Sequence, residues 1–345
     1  MKTTIIIATA LIAVATTATA KSWRINNNTN AAADFASIND AMASSEVVAG
    51  DTLYLDPGCS LSSEQTVSKQ VTIIGPGFFR NDVPHLFATF TGALTITAAN
   101  TKVKGVILNG STNIRANYVT IERCKAGSII ICGVYNQPSA QFATIRQCYL
   151  TGIEGMGTSG DYYLKSASAT IENCMILGRI NAISGLYSPT IRNNYMCNIF
   201  GDQKTLSNVK DGTVTNNIII NFNTSSTRTP AYIISATNCT VTNNVMSCPD
   251  TAYPEYPDNK FTNSTSEADI FALTGTNDQR YQLKDDSPAK GYATDGGDCG
   301  PFGGLYPYVL GGLPNGYPYY TKAIIAPKSV NGKVNVSLNI KMQNE

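Results

Sequence analysis

The sequence predicts an all-β chain folded as a parallel β-helix solenoid, on three observations. An eight-residue phrase recurs, as ATIRQCYL at 143–150, ATIENCMI at 169–176 and PTIRNNYM at 189–196. Aligned on one aliphatic position, the phrases give Val103, Ile121, Ile145, Ile171, Ile191, Val214 and Val241, at steps of 18, 24, 26, 20, 23 and 27 residues. A period in the twenties marks a solenoid. Within each phrase apolar and polar residues alternate, slip by one, and alternate again. That is two strands joined by a tight bend that keeps both facing one interior. Leucine-rich repeats would carry Leu at fixed offsets and a helical half, and neither is present.

Each element follows in chain order. Lys2 precedes an uncharged, mostly apolar run over 5–15 that ends in small residues at 18–20, the pattern of a signal peptide over 1–20. The protein is therefore expected to be exported, to the periplasm, the cell surface or the medium. No later stretch approaches the ~20 uninterrupted apolar residues of a membrane helix, so no membrane span is expected. Ile38, Ala41 and Met42 give a short helix an apolar side, suited to covering the first end of the solenoid. The solenoid with this cap should occupy 21–304, in about ten to twelve coils. Residues 305–345 should form a C-terminal cap region ending in a β-strand.

The bend falls at Arg123, Gln147, Asn173, Asn193, Asn216 and Asn243. Asn tolerates the left-handed conformation such a bend needs, and stacked Asn side chains can bond from coil to coil. The next interior column reads Val106, Cys124, Cys148, Cys174, Asn194, Asn217 and Asn244, followed by Leu108, Ala126, Leu150, Ile176, Met196, Ile219 and Met246. Like stands on like, as in-register coils about 4.8 Å apart require. The nine Cys, in an exported chain, raise the question of disulfides. Three of them share a ladder position, the count is odd, and no CxxC spacing occurs, so most read as packed thiols and not as metal ligands. One outward row, Glu122, Arg146, Glu172 and Arg192, alternates in sign. It reads as a surface ion-pair ladder, with a general acid/base pair as the functional alternative.

At the C-terminus, 306–320 is dense in Tyr, Pro and Gly, an irregular cover over the coils or an end cap. Residues 332–343 alternate strictly, with Val334, Val336, Leu338, Ile340 and Met342 on one side. Pairing of this strand onto an edge of the solenoid is the simplest expectation, and donation to a partner the alternative. The protein is expected to be a monomer.

Three stretches carry a family resemblance: the opening WRINNNTNAAADFASINDAMASSEVVAGDTLYLDPG (23–58), VTIIGPGFF (71–79) and the closing YQLKDDSPAKGYATDGGDCGPFGG (281–304). The chain resembles the right-handed parallel β-helix proteins of the pectate-lyase-like superfamily, and more narrowly a group of exported proteins from gut Bacteroidetes. The resemblance implies the right-handed fold. That fold hosts lyases, hydrolases and binding proteins alike, so it implies no single activity. The NTD and GHG motifs of polygalacturonase-type hydrolases are missing, and the one DD pair, Asp285-Asp286, lies in the closing phrase.

Lys and Arg number 25 against 24 Asp and Glu with no basic block, which excludes nucleic acid as an expected partner. For function, the fold, the export signal and the missing catalytic set favour binding of a polysaccharide or glycan along a solenoid face. Tyr162, Tyr163, Tyr187, Tyr195 and Tyr232 are candidate stacking surfaces. The alternative enzyme is a calcium-assisted lyase of acidic polysaccharide. Its Ca²⁺ cofactor would take oxygen ligands from Asp161, Asp202 or Asp211. Lys165 would remove the proton, and Lys204 lies in the same inter-phrase segments. Loop residues solvating turns is the simpler reading of them. His85 is the only histidine. The second alternative is a structural or adhesive surface module.

Overall fold

The computed structural model describes residues 20–29, 31–79, 87–132, 140–156, 168–198, 204–221, 233–262, 266–275, 277–313, 318–325, 332–333 and 336–342. The expected signal peptide falls outside them, apart from its last residue.

The chain is a parallel β-helix with three faces. The first is a ten-stranded parallel sheet: Ser22–Ile25, Thr52–Leu55, Thr72–Ile74, Lys102–Lys104, Thr120–Glu122, Ala143–Arg146, Ala169–Glu172, Thr190–Arg192, Thr213–Thr215 and Thr240–Thr242. The register stacks Val103, Ile121, Ile145, Ile171, Ile191, Val214 and Val241, the column expected from the repeat. It extends backward through Ile73 and Leu53 to Trp23. The second and third faces share a fifteen-stranded sheet. Three long strands, Lys125–Cys132, Tyr149–Met156 and Met175–Tyr187, turn the corner and serve both faces.

The bend residues between the first and second faces all adopt positive φ, from 53° at Arg123 and Asn193 to 60° at Asn216. Their side chains point away from the interior, and along the row Arg123 Nε donates to Gln147 Oε1 at 2.9 Å. The expected Asn-to-Asn stacking belongs instead to the next, buried column. There Asn217 Oδ1 accepts from Asn194 N and Nδ2, and Asn244 and Asn259 repeat the arrangement. The Nδ2 of Asn194, Asn217 and Asn244 also donates to the carbonyl two residues back and to one in the preceding coil, as Asn194 does to Arg192 O and Ile171 O. The cysteines copy this pattern: Cys174 Sγ lies 3.3 Å from Glu172 O and 3.5 Å from Ile145 O. Cys124, Cys148 and Cys174 are buried, and the eight cysteines whose side chains are described, all but Cys132, are free. Burial pushes the Cys124 and Cys148 thiols well up, so they stay protonated packing groups.

Both edges of the third face are closed by side chains. At the N-terminal end, helix Ile38–Ala43 is capped by Ser37 and buries Ile38, Ala41 and Met42, as expected. Its Asn39 grips Thr66 N and Glu64 O on the first strand of that face. At the other end, Tyr253 Oη accepts from Ile233 N and Ile234 N, and Tyr256 Oη donates to Ala236 O. Hydroxyls thus occupy backbone groups that would otherwise template another strand.

After Phe261 the chain reverses and runs back along the bend row. Asn243 Nδ2 holds Tyr292 O, Asn216 Nδ2 holds Thr294 Oγ1, and Asn173 Nδ2 holds Pro301 O and Gly303 O. Gln147 Nε2 holds Pro307 O and Arg123 Nη1 holds Leu313 O. This strap buries a second apolar cluster on the outward side of the second face, with Met175, Tyr195, Ile218 and Val245 against Phe271, Tyr281 and Tyr308.

The final strand departs from expectation. Val336–Met342 pairs antiparallel with Pro318–Ile325 in a separate two-stranded sheet, not with a solenoid edge. Alternation specifies a face and leaves the partner open, and the nearer partner in sequence takes it.

Candidate glycan-binding face

The outward side of the first face carries two columns. One reads Ser22, Thr52, Thr72, Lys102, Thr120, Thr144, Thr170, Thr190, Thr213 and Thr240 in unbroken register. Nine steps of ~4.8 Å make this row roughly 43 Å long. Its threonines are half-buried to exposed. Thr suits the position because a β-branched side chain is stiff on a pleated sheet and turns one hydroxyl to the surface.

The second column holds the charged row, and here the sequence expectation needs correction. Glu122 and Glu172 are only 6% and 3% exposed, so the ladder is not a surface one. Glu122 Oε2 takes Lys104 Nζ at 3.1 Å and Arg146 Nη2 at 3.2 Å, while Glu172 Oε2 takes Arg192 Nη2 at 2.7 Å. The strap roofs them, with the ring of Tyr306 4.7 Å from the Arg146 guanidinium. Burial pushes the Glu122 carboxyl up, but Lys104 and Arg146 overcome it and hold the group below its ordinary range. A depressed carboxylate stays ionised at neutral pH and is a poor general acid. Its stabilising contribution is present above the unfolded pKa and disappears as pH falls through the folded one. The stability difference between the wild type and Glu122→Gln should therefore shrink on going from pH 7 to pH 3, as read by denaturant melts. A constant difference would show that ionisation of Glu122 contributes nothing.

Before most strands of the first face lies a second left-handed corner, occupied by Gly50 before the second strand. Its other positive-φ occupants are Asn100, Tyr118, Phe142, Ser188, Asp211 and Asn238. Four are small polar residues that tolerate this conformation. Tyr118 and Phe142 are not, yet they sit at φ 58° and 57°, are 53% and 54% exposed, and stack with centroids 5.0 Å apart and planes 12° apart. A bulky side chain held left-handed costs about 1–2 kcal/mol. Exposure returns little of that through burial. The pair stands beside the threonine row, stacked and half exposed.

The residues nominated from the sequence distribute differently. Asp161, Lys165 and Asp202 lie outside the described residues, as do Tyr162, Tyr163, Tyr232 and His85, and nothing is described of the Tyr187 side chain. Lys204 is half-buried just before the strand Leu206–Lys210. Asp211 is an exposed corner residue whose N–H donates to Thr237 O and whose Oδ1 takes Asn238 Nδ2 at 3.3 Å. Among the described residues no three His, Cys, Asp or Glu side chains converge on a point where a metal ion would fit. Tyr195 is not a platform: it is fully buried under the strap, its hydroxyl 2.5 Å from Glu267 Oε1. Tyr118 and Phe142 went unnoticed in the sequence, although each precedes its inward Ile by three residues, where other coils place Gly50, Asn100, Asp211 or Asn238. That offset is the signal that would have found them. Among the described residues no helix is long and apolar enough to cross a membrane. No protein-family model matches the chain, and no curated protein matches it either.

Proposed function

We propose that the chain is an exported right-handed β-helix protein of the pectate-lyase-like kind that binds a neutral, extended glycan on the outward side of its first face. The observation that carries this reading is the exposed, left-handed Tyr118–Phe142 pair, which stability alone disfavours. Flat apolar rings beside a row of hydroxyls match the alternating C–H and O–H surfaces of a sugar. Charge supports neutrality of the ligand: the carboxylates of the neighbouring column are matched by Lys104, Arg146 and Arg192. Export rests on the N-terminal sequence over 1–20.

Affinity electrophoresis of the purified protein against a panel of neutral and acidic polysaccharides tests this. Retention by a neutral polymer is expected. The double variant Tyr118→Asn/Phe142→Asn should bind at least tenfold more weakly, about 1.4 kcal/mol, with folding stability within about 1 kcal/mol of wild type, since relieved backbone strain offsets lost stacking. Equal retention of the variant would overturn the site. New reducing ends on an acidic polymer only with Ca²⁺ would replace the reading by a lyase.

A further inference from the structure

We infer that the C-terminal hairpin docks on an anionic lipid surface. Among the described residues its strands Pro318–Ile325 and Val336–Met342 pair only with each other. Val336, Leu338 and Ile340 are 54%, 45% and 58% exposed, and Ser337 and Asn339 between them are exposed too. Over 336–340 the strand is exposed on both sides. Pairing sets Tyr320 opposite Ile340, Ala323 opposite Leu338 and Ile325 opposite Val336. A two-stranded sheet alone is marginal in water, and an alternating apolar row left open invites association. The hairpin therefore has a binding partner to account for.

Charge identifies the partner. Residues 314–345 contain four lysines, Lys322, Lys328, Lys333 and Lys341, against the single acid Glu345. The whole chain has 25 basic and 24 acidic residues, so the remainder holds 21 and 23. The positive excess is thus confined to the segment with the open apolar row. Along the strand Lys333 and Lys341 alternate with the apolar row, and an apolar side backed by a cationic one is the chemistry of interfacial attachment, apolar groups entering the headgroup boundary and cations meeting anionic lipid. Tyr317, Tyr319 and Tyr320 add the aromatic residues that favour that boundary. A second copy is the poorer occupant, since two hairpins face to face set eight lysines against two acids.

The test is co-sedimentation of the full chain with phosphatidylcholine vesicles and with vesicles of phosphatidylcholine and phosphatidylglycerol at 70:30. At least tenfold stronger partitioning to the anionic vesicles is expected, with most of it lost in 0.5 M salt. Leu338→Asp/Ile340→Asp should lower partitioning tenfold or more while the solenoid keeps its melting temperature, and Lys333→Gln/Lys341→Gln should lower it through charge alone. Equal uptake by both vesicle types overturns the proposal. So does unchanged uptake of the Asp variant, which would place attachment elsewhere in the chain. Concentration-dependent dimerisation without vesicle uptake also overturns it, and assigns the face to a second copy.

Discussion

Replacing Asn217 by Leu should destabilise the protein by about 3–6 kcal/mol, although the two side chains are nearly equal in size. Asn217 is fully buried. Its Oδ1 takes two donors from Asn194, at 2.9 and 3.0 Å, and its Nδ2 supplies Ile191 O, Thr215 O and Asn244 Oδ1. Leu would remove all five of these hydrogen bonds, each worth about 0.5–1.5 kcal/mol net, and leave Asn194 N without its acceptor in the interior. Asn217→Cys should be milder, roughly 1–2 kcal/mol, because Cys174 already makes the same pair of carbonyl contacts with Sγ. Urea unfolding of the two variants measures the difference. A Leu variant within about 1 kcal/mol of wild type would mean that the amides only fill space.

That ladder was legible in the sequence because each coil repeats one physical demand at one offset. An inward aliphatic, a left-handed bend and a small hydrogen-bonding group recur through Ile171, Asn173 and Cys174, and again through Ile191, Asn193 and Asn194. Asn259 escaped because it follows Asn244 by 15 residues, short of every step in the repeat. The charged column was legible as pairs and illegible as to burial, since Glu122 and Glu172 are covered by a segment more than a hundred residues away. The corner aromatics were legible in position and overlooked in meaning.

The strap was the least legible element. Five of its attachments are main-chain carbonyls, of Tyr292, Pro301, Gly303, Pro307 and Leu313. A carbonyl belongs to every residue, so the receiving half of the contact leaves no mark in the sequence. Only the donors are written, and the donors Asn173 and Gln147 also satisfy the bend. What the strap does write is glycine, at points of close approach. Gly311 and Gly312 take φ of 69° and 59°, and Gly311 N donates to Asp278 Oδ2 at 2.7 Å.

Gly312→Ala should therefore release the strap while leaving the solenoid folded. A Cβ there would lie 2.1 Å from Phe78 Cε1 and 2.7 Å from Arg123 O. Phe78 is fully buried, and Arg123 is fixed in the bend, so neither yields cheaply. Overpacking of this kind adds about 1–3 kcal/mol to the backbone penalty of about 1–2 kcal/mol at positive φ. The strap end holds on through few bonds, whereas the coils hold one another through ten strands of the first face alone. Local release is the cheaper response. Hydrogen exchange should show the amides of Gly311 and Gly312 losing protection, with those of Asn194 and Asn217 keeping theirs. Release would also free Asp278, whose carboxyl is pushed up by burial despite donors from Gly311 and Tyr308, and return it toward the ordinary range. Gly296→Ala is the control: φ is 80° but nothing lies within 4 Å of the added atom, so only the backbone penalty applies. If Gly312→Ala strips protection from the Asn ladder as well, the strap is part of the solenoid's cooperative unit, and the second face depends on its cover to fold.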